Sequence, residues 1–209
     1  MADRDYLRYY DLETYLFEDV HKHFHKNGFL DAFDFFSIII WKANRSKSLT
    51  AKRLLKNHPE LPRETALETI CRELTSKIYS GPSPIYSVSA HKKRFEILLS
   101  PQYSFLLPTA SAILTVLYPE YFTVYDSLVC DQLRASDEQK DFRKLVNISD
   151  AGKAWKGYLR FKDAVEASSS IPKLRDKDRA LIGRSIAKLL ETDIQDCFPP
   201  REKETAKKR

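Results

Sequence analysis

Three groups of residues in this chain could do chemistry. Asp126 closes the stretch LLPTASAILTVLYPEYFTVYD, which is apolar and dense in tyrosine and carries no basic residue to neutralise the acid. An isolated carboxylate can stabilise a developing positive charge or take a proton. It can equally accept hydrogen bonds from the free amides at the start of the helix that SLVCDQLRA predicts, and Thr123 three residues earlier also fits a T-x-x-D capping box. In HKHFHK, His21 and His25 lie four residues apart, where two imidazoles on a helix could share a metal. No Glu stands where an HExxH base would be needed, and His23 points elsewhere, so an amphipathic helix with exposed histidines is the simpler expectation. The third group is WKANRSKSLTAKRLLK, with six cations (Lys42, Arg45, Lys47, Lys52, Arg53 and Lys56) and no acid. Such a stretch suits contacts to phosphates.

The elements that must position these groups read as helices throughout. Glycine occurs five times in 209 residues, and apolar residues recur at intervals of three and four. Leu12, Leu16, Val20 and Phe24 repeat every four residues, and Asn27-Gly28 supplies a left-handed helix terminus. A second helix is expected from Asp31, containing Phe35, Ile38 and Ile39 and almost wholly core. Phe29, Phe33, Phe35, Phe36 and Trp41 could stack bases, but inside so apolar a helix they are expected in the core. HPELPRETALETICREL sets Pro62 ahead of an acid-rich first turn, with Leu67, Ile70, Cys71 and Leu74 on one face. GPSP from Gly81 breaks the chain, and SVSAHKKRFEILL resumes helix with Lys92, Lys93 and Arg94 on a solvent side. DEQKDFRK reads as a solvated face. Trp155, Tyr158, Leu159 and Val165 form a further buried stripe. A last helix in DRALIGRSIAKLLE is expected to turn Leu181, Ile182, Ile186, Leu189 and Leu190 inward. No internal repeat is visible. The expected organisation is a single all-α domain over residues 1–198 with a disordered basic tail over 199–209.

Composition narrows the partners. The net charge is +6, and the nine residues from Arg201 supply half of it. Any nucleic-acid surface on the body must therefore be a patch. Cys71, Cys130 and Cys197 are odd in number and widely spaced, which argues against a disulfide framework or a zinc site and suits a reducing cytoplasm. FFSIII is too short to span a bilayer, and the first residues carry acids instead of an apolar leader, so no membrane association is expected.

LPTASAILTVLYPEYFTVYDSLV resembles the core of a bacterial branch of the helix-hairpin-helix DNA glycosylase superfamily, related in fold to 8-oxoguanine DNA glycosylase. In that branch an ASAIL helix precedes a proline turn and an IxD before the next helix. FFSIIIWKANR and LRDKDRALIG are similar to two further segments of the same group, and the three matches run in order from about residue 34 to 184. The resemblance implies a two-lobed helical bundle with a cleft for double-stranded DNA and a base-excision activity. Asp126 takes the position of the catalytic carboxylate, at a helix N-terminus facing the cleft. Lys42, Arg45, Lys92, Lys93, Arg94, Pro108 and Thr109 become candidate DNA contacts, and Tyr121 and Tyr125 candidate walls for a flipped base.

Two departures shape the expected activity. Superfamily hairpins carry glycines that let backbone amides approach a phosphate, whereas this chain has none from 82 to 151. Bifunctional members place a Schiff-base lysine just after the hairpin, where Leu107, Pro108 and Thr109 stand here. The expectation is a monofunctional N-glycosylase without lyase activity, using Asp126 and water and no cofactor. The alternative is a non-catalytic descendant that binds DNA or protein.

Overall fold

A computed structural model of the chain describes residues 11–79, 81, 87–138 and 141–197, the last three as backbone only. The expected readings of 1–10, of Pro82 to Pro84 and of the basic tail lie outside the described residues. Every regular element among the described residues is helical.

Helix α1 covers 12–27 in three consecutive pieces, α-helical over Leu12–Tyr15, π-helical over Leu16–Val20 and α-helical again over His21–Asn27. The wide middle turn has a reason in the sequence. Apolar residues spaced by four drift about 40° per step around an α-helix of 3.6 residues per turn, and one underwound turn takes up that drift. Leu16, Val20 and Phe24 are consequently all fully buried. Gly28 then ends the helix at φ 77°, with its missing Cβ facing the Tyr79 ring at 3.1 Å.

Asp31 caps α2 (Ala32–Ala43) by accepting from the Asp34 amide. This helix is less buried than its sequence suggests, because Phe33 is 61% and Ile40 38% exposed on its outer face. A 3-10 turn, Asn44–Ser46, leads into α3 (Lys47–Asn57). α4 runs Ala66–Ile78. It begins later than expected, since Pro62 starts a turn in which the Thr65 amide bonds back to the Pro62 carbonyl at 3.1 Å. Ser87 caps α5 (Val88–Leu99).

α6 (Leu107–Leu117) opens with Pro108 in its first turn. Leu107 and every residue from Ala110 to Leu117 are buried, the signature of a helix surrounded on all sides. α1, α2 and α5 pack against it. Asp126 caps α7 (Ser127–Ser136), a 3-10 turn follows at Arg143–Asn147, and α8 (Ala151–Glu166) lies on α5. Within the stretch read as a solvated face, Phe142 is buried against Phe161.

α9 (Leu174–Cys197) packs along α7 and α8 with its first half only. Leu174, Asp178, Leu181 and Ser185 are buried at steps of three and four, and the Ser185 hydroxyl donates to the Leu128 carbonyl at 3.2 Å. Beyond Ser185 the expected inward stripe faces solvent, with Ile186, Leu189 and Leu190 46%, 53% and 55% exposed. The body they were expected to meet ends one turn earlier. Apolar residues from Tyr15 to Leu181 otherwise join in one contiguous core.

Candidate functional site

The geometry begins with the segment between α6 and α7, because its backbone decides where Asp126 points. Tyr118 leaves α6, a turn at 119–121 bonds the Tyr121 and Phe122 amides back to the Tyr118 carbonyl, and residues 122–126 then cross the body without regular structure. Asp178, fully buried on α9, accepts from the Thr123 hydroxyl at 2.9 Å and the Val124 amide at 3.3 Å. Tyr158 of α8 clasps Thr123 from the other side, accepting from its amide at 2.9 Å and donating to its carbonyl at 2.7 Å. The Tyr125 amide donates to the Ser111 hydroxyl of α6 at 2.9 Å. Three helices thus fix the three residues before Asp126. Arg175 backs this clamp, bonded to Asp178 and, at 2.6 Å, to Glu13 of α1. Burial pushes the Asp178 carboxyl up, against the Arg175 guanidinium and the Thr123 and Val124 donors.

Held in extended backbone at φ −137°, Asp126 uses both oxygens. Oδ1 accepts from the Leu128 amide at 2.9 Å, the N-cap bond of α7. Oδ2 accepts from Lys42 Nζ at 2.6 Å, 84 residues away. The acid that nothing neutralises in its own stretch is therefore neutralised through space, by the last turn of α2. Burial on its own would raise the Asp126 carboxyl; the Lys42 charge and hydrogen bond, with the Leu128 amide, outweigh it and hold the group below its ordinary value. The T-x-x-D capping box does not form, because Asp126 is itself the cap and the Thr123 hydroxyl is spent on Asp178.

Lys42, Pro108, Tyr125, Asp126, Ser127, Arg143 and Val146 line an open cleft of about 350 Å³. That volume lies in the range, roughly 300 to 1,000 Å³, of small-ligand sites. Four expected residues meet here: Asp126, Lys42, Pro108 and Tyr125. Lys42 is not free for a phosphate, since its ammonium is engaged with Asp126 and only 12% of its side chain is exposed. Tyr125 gives the cleft a ring and no hydroxyl, which donates instead to the Phe142 and Arg143 carbonyls at 2.8 and 3.2 Å. Burial pushes its phenol up.

The remaining expected residues divide. Arg45 is exposed in the 3-10 turn one step past Lys42, and Thr109 is half-buried behind Pro108. Lys92 and Lys93 are exposed on α5, Lys92 with Glu96 at 3.5 Å, and neither lines the cleft. Arg94 is a correction, because it lies in the core, 3% exposed. Its Nε donates to the Ile78 carbonyl at 3.0 Å, and its guanidinium stacks over the Tyr118 ring at 4.2 Å. That face of α5 packs against the end of α4 and Tyr118, so Arg94 is held in the core and cannot meet a phosphate. Tyr121 is likewise away from the cleft. It stacks on His91 at 3.7 Å with Lys162 over its ring.

The histidine pair also has a different use from the one expected. His21 Nδ1 lies 3.0 Å from the Val116 carbonyl and His25 Nε2 3.0 Å from the Leu117 carbonyl. Both rings are half-buried against the last turn of α6 instead of exposed. His23 points away from them, to Asp34 at 2.7 Å. Among the described residues no three metal-ligating side chains converge.

Ser127, Arg143 and Val146 line the cleft without having been expected there, and Arg143 is the charged one among them. It forms a bidentate pair with Asp131 of α7, and the buried Phe142 before it was the available signal. The turn between α5 and α6 contains no glycine. Ser104 takes the left-handed position at φ 53°. Arg53 of α3 donates to its carbonyl at 2.8 Å, and the Asn57 side chain donates to the Pro101 and Gln102 carbonyls at 3.1 and 3.0 Å. Arg53 of the basic stretch and Asn57, the residue just after it, are spent on this turn. No helix of the described residues is long and apolar enough to cross a membrane. No protein-family model, curated protein or solved structure matches this chain.

Proposed function

We propose that the chain is a monofunctional DNA N-glycosylase that uses Asp126. The observation that carries the reading is an ionised carboxylate clamped from three helices and still 28% exposed in a cleft of small-ligand size. Heterolysis of the bond between a sugar C1′ and a base leaves positive charge on the sugar, and a fixed anion beside it lowers that barrier. Water then attacks C1′ and its proton passes to the departing base anion, leaving an abasic sugar and the free neutral base. Pro108 and the Tyr125 ring supply apolar walls for an unstacked base. Exposed Arg45, together with Lys47 and Lys52 on α3, offers cations for the flanking phosphates. The start of α6 carries no amine, and the Lys42 ammonium is taken by Asp126, which favours hydrolysis over Schiff-base chemistry.

A second reading has its own observation. The Lys42 pair covers Oδ2 of the carboxylate, as it would in a non-catalytic DNA-binding relative that keeps the acid for structure. One experiment separates the two. Duplexes carrying oxidised, deaminated or alkylated bases are incubated with the protein, and abasic sites are scored alongside salt-dependent duplex binding. The catalytic reading expects release of a base that Asp126→Asn abolishes, the asparagine still capping α7. Activity retained in Asp126→Asn, or duplex binding with no base released from any substrate, refutes it.

A further inference from the structure

The second half of α9 carries an apolar face that nothing among the described residues covers. Ile186, Leu189, Leu190 and Ile194 are 46%, 53%, 55% and 59% exposed. At about 100° per residue these four, with the partly buried Ile182, fall on one side of the helix, and Arg184, Lys188 and Glu191 fall on the other. Exposed aliphatic residues so grouped mark an interaction site. The residues after Cys197, FPPREKETAKKR, contain one large apolar side chain among many charges. They are chemically unsuited to bury this stripe.

Charge on the same side of the helix indicates what does. Between residues 179 and 194, Arg179 and Asp193 are the ionic residues within the apolar arc, one at each end, and both are exposed, Arg179 while also reaching Glu13 at 3.3 Å and Asp176 at 3.6 Å within its own chain. Their midpoint is residue 186. When a second α9 is laid antiparallel with its Ile186 against Ile186, Arg179 of each copy meets Asp193 of the other at both ends. The layer between sets Leu190 against Ile182 and the bare Gly183 of the opposite copy. Gly183 has nothing within 4 Å of the place its Cβ would take. A glycine weakens a helix interior, and no contact among the described residues requires one there. It leaves room for a closely approaching second helix. A two-fold contact must be self-complementary in this way, each patch serving as its own partner.

We propose that the chain forms an antiparallel homodimer through residues 179–194 of α9, with the two-fold axis beside Ile186. The contact is smaller than the interface of a tight permanent dimer, so the dimer dissociates on dilution. It leaves the Asp126 cleft free, because none of the residues lining that cleft belongs to α9.

Sedimentation and light scattering of the full chain over a hundredfold concentration range provide the first test. The expected result is a mass rising from 24.3 kDa toward twice that value. Ile186→Glu with Leu190→Glu should hold the mass at the monomer value with an unchanged helical circular dichroism spectrum. Asp193→Arg should weaken the dimer at least tenfold, and adding Arg179→Asp to it should restore most of the loss. Geometry is tested separately in a Cys197→Ser background, since Cys71 and Cys130 are buried. Ile186→Cys should crosslink to its own copy under mild oxidation, and Lys188→Cys, on the opposite side, should not. A monomer at every concentration overturns the proposal. So does a dimer untouched by the Glu pair, or equal crosslinking at positions 186 and 188.

Discussion

Removing Lys42 tests the site where it is most constrained. The pair joins two side chains 12% and 28% exposed at 2.6 Å. It therefore lies between a surface pair, about 0 to 1 kcal/mol, and a buried pair, whose loss of one partner costs about 3 to 5 kcal/mol. We expect Lys42→Met and Asp126→Asn each to destabilise by about 1 to 2 kcal/mol, each leaving the other partner partly buried without its counter-charge. In a domain of this size that is about 2 to 4 °C of melting temperature per kcal/mol. The double variant should be no less stable than either single one, so the coupling is itself about 1 to 2 kcal/mol. Its pH dependence follows from the direction of the Asp126 shift. The folded carboxyl titrates below its ordinary value, so the stability it contributes is whole above the unfolded value near 4 and is lost as pH falls through the lower folded one. Urea denaturation of the four proteins at pH 7 and again below pH 3 measures both. Single effects that add within about 0.3 to 0.5 kcal/mol at pH 7 would refute the coupling, and a coupling undiminished in acid would refute its ionic origin.

Three further outcomes follow from named contacts. Gly28→Ala should lower stability by about 1 to 2 kcal/mol, the cost of a side chain in the left-handed region, with a further loss from crowding Tyr79; thermal melting reads it. His91 is 1% exposed, and burial first, then Arg94 and Lys162, lower its titration to about 4. The folded ring resists a proton that the unfolded one accepts near 6.5, so stability is full above pH 6.5 and declines progressively as pH falls toward about 4. His91→Gln should flatten that part of a stability–pH profile, and an unchanged slope would remove His91 as its source. Cys130 is buried with its thiol pushed up to about 11, and Cys71 is pushed higher still. Both should resist an aromatic disulfide reagent at pH 8 in the folded protein and react in urea; prompt labelling without denaturant would contradict their burial.

Local pattern and long-range pairing were unequally legible. The Asn27-Gly28 terminus, the helix start at Asp31 and the helical period in Leu16, Val20 and Phe24 depend on neighbours within one or two turns, and the structure has all of them. The Asp126 cap was legible for the same reason. Its partner was not, since Lys42 reaches it across 84 residues and reads in sequence as one more cation of a basic run. Arg94 misled in the same way, because a charged residue beside two lysines looks solvated unless the ring of Tyr118 is known to lie beneath it. The α9 stripe misled in the opposite sense. Periodicity shows that a face is apolar, but what meets that face is decided by where the body ends.

α6 starts beside the open cleft and ends inside the protein, and the groups that close its far end come from far away in the chain. The Val116 and Leu117 carbonyls are met by His21 and His25, across 95 and 92 residues. The central helix and the first helix thus complete each other only after a loop of some ninety residues has closed, an entropic hurdle that slows folding. On the ribosome α1 emerges long before its partner. Until residue 117 is out, Leu16, Val20 and Phe24 have no central helix to bury against, and the nascent N-terminal half must hold its apolar surface exposed or in temporary contacts. Assembly of this domain is therefore a late and concerted event.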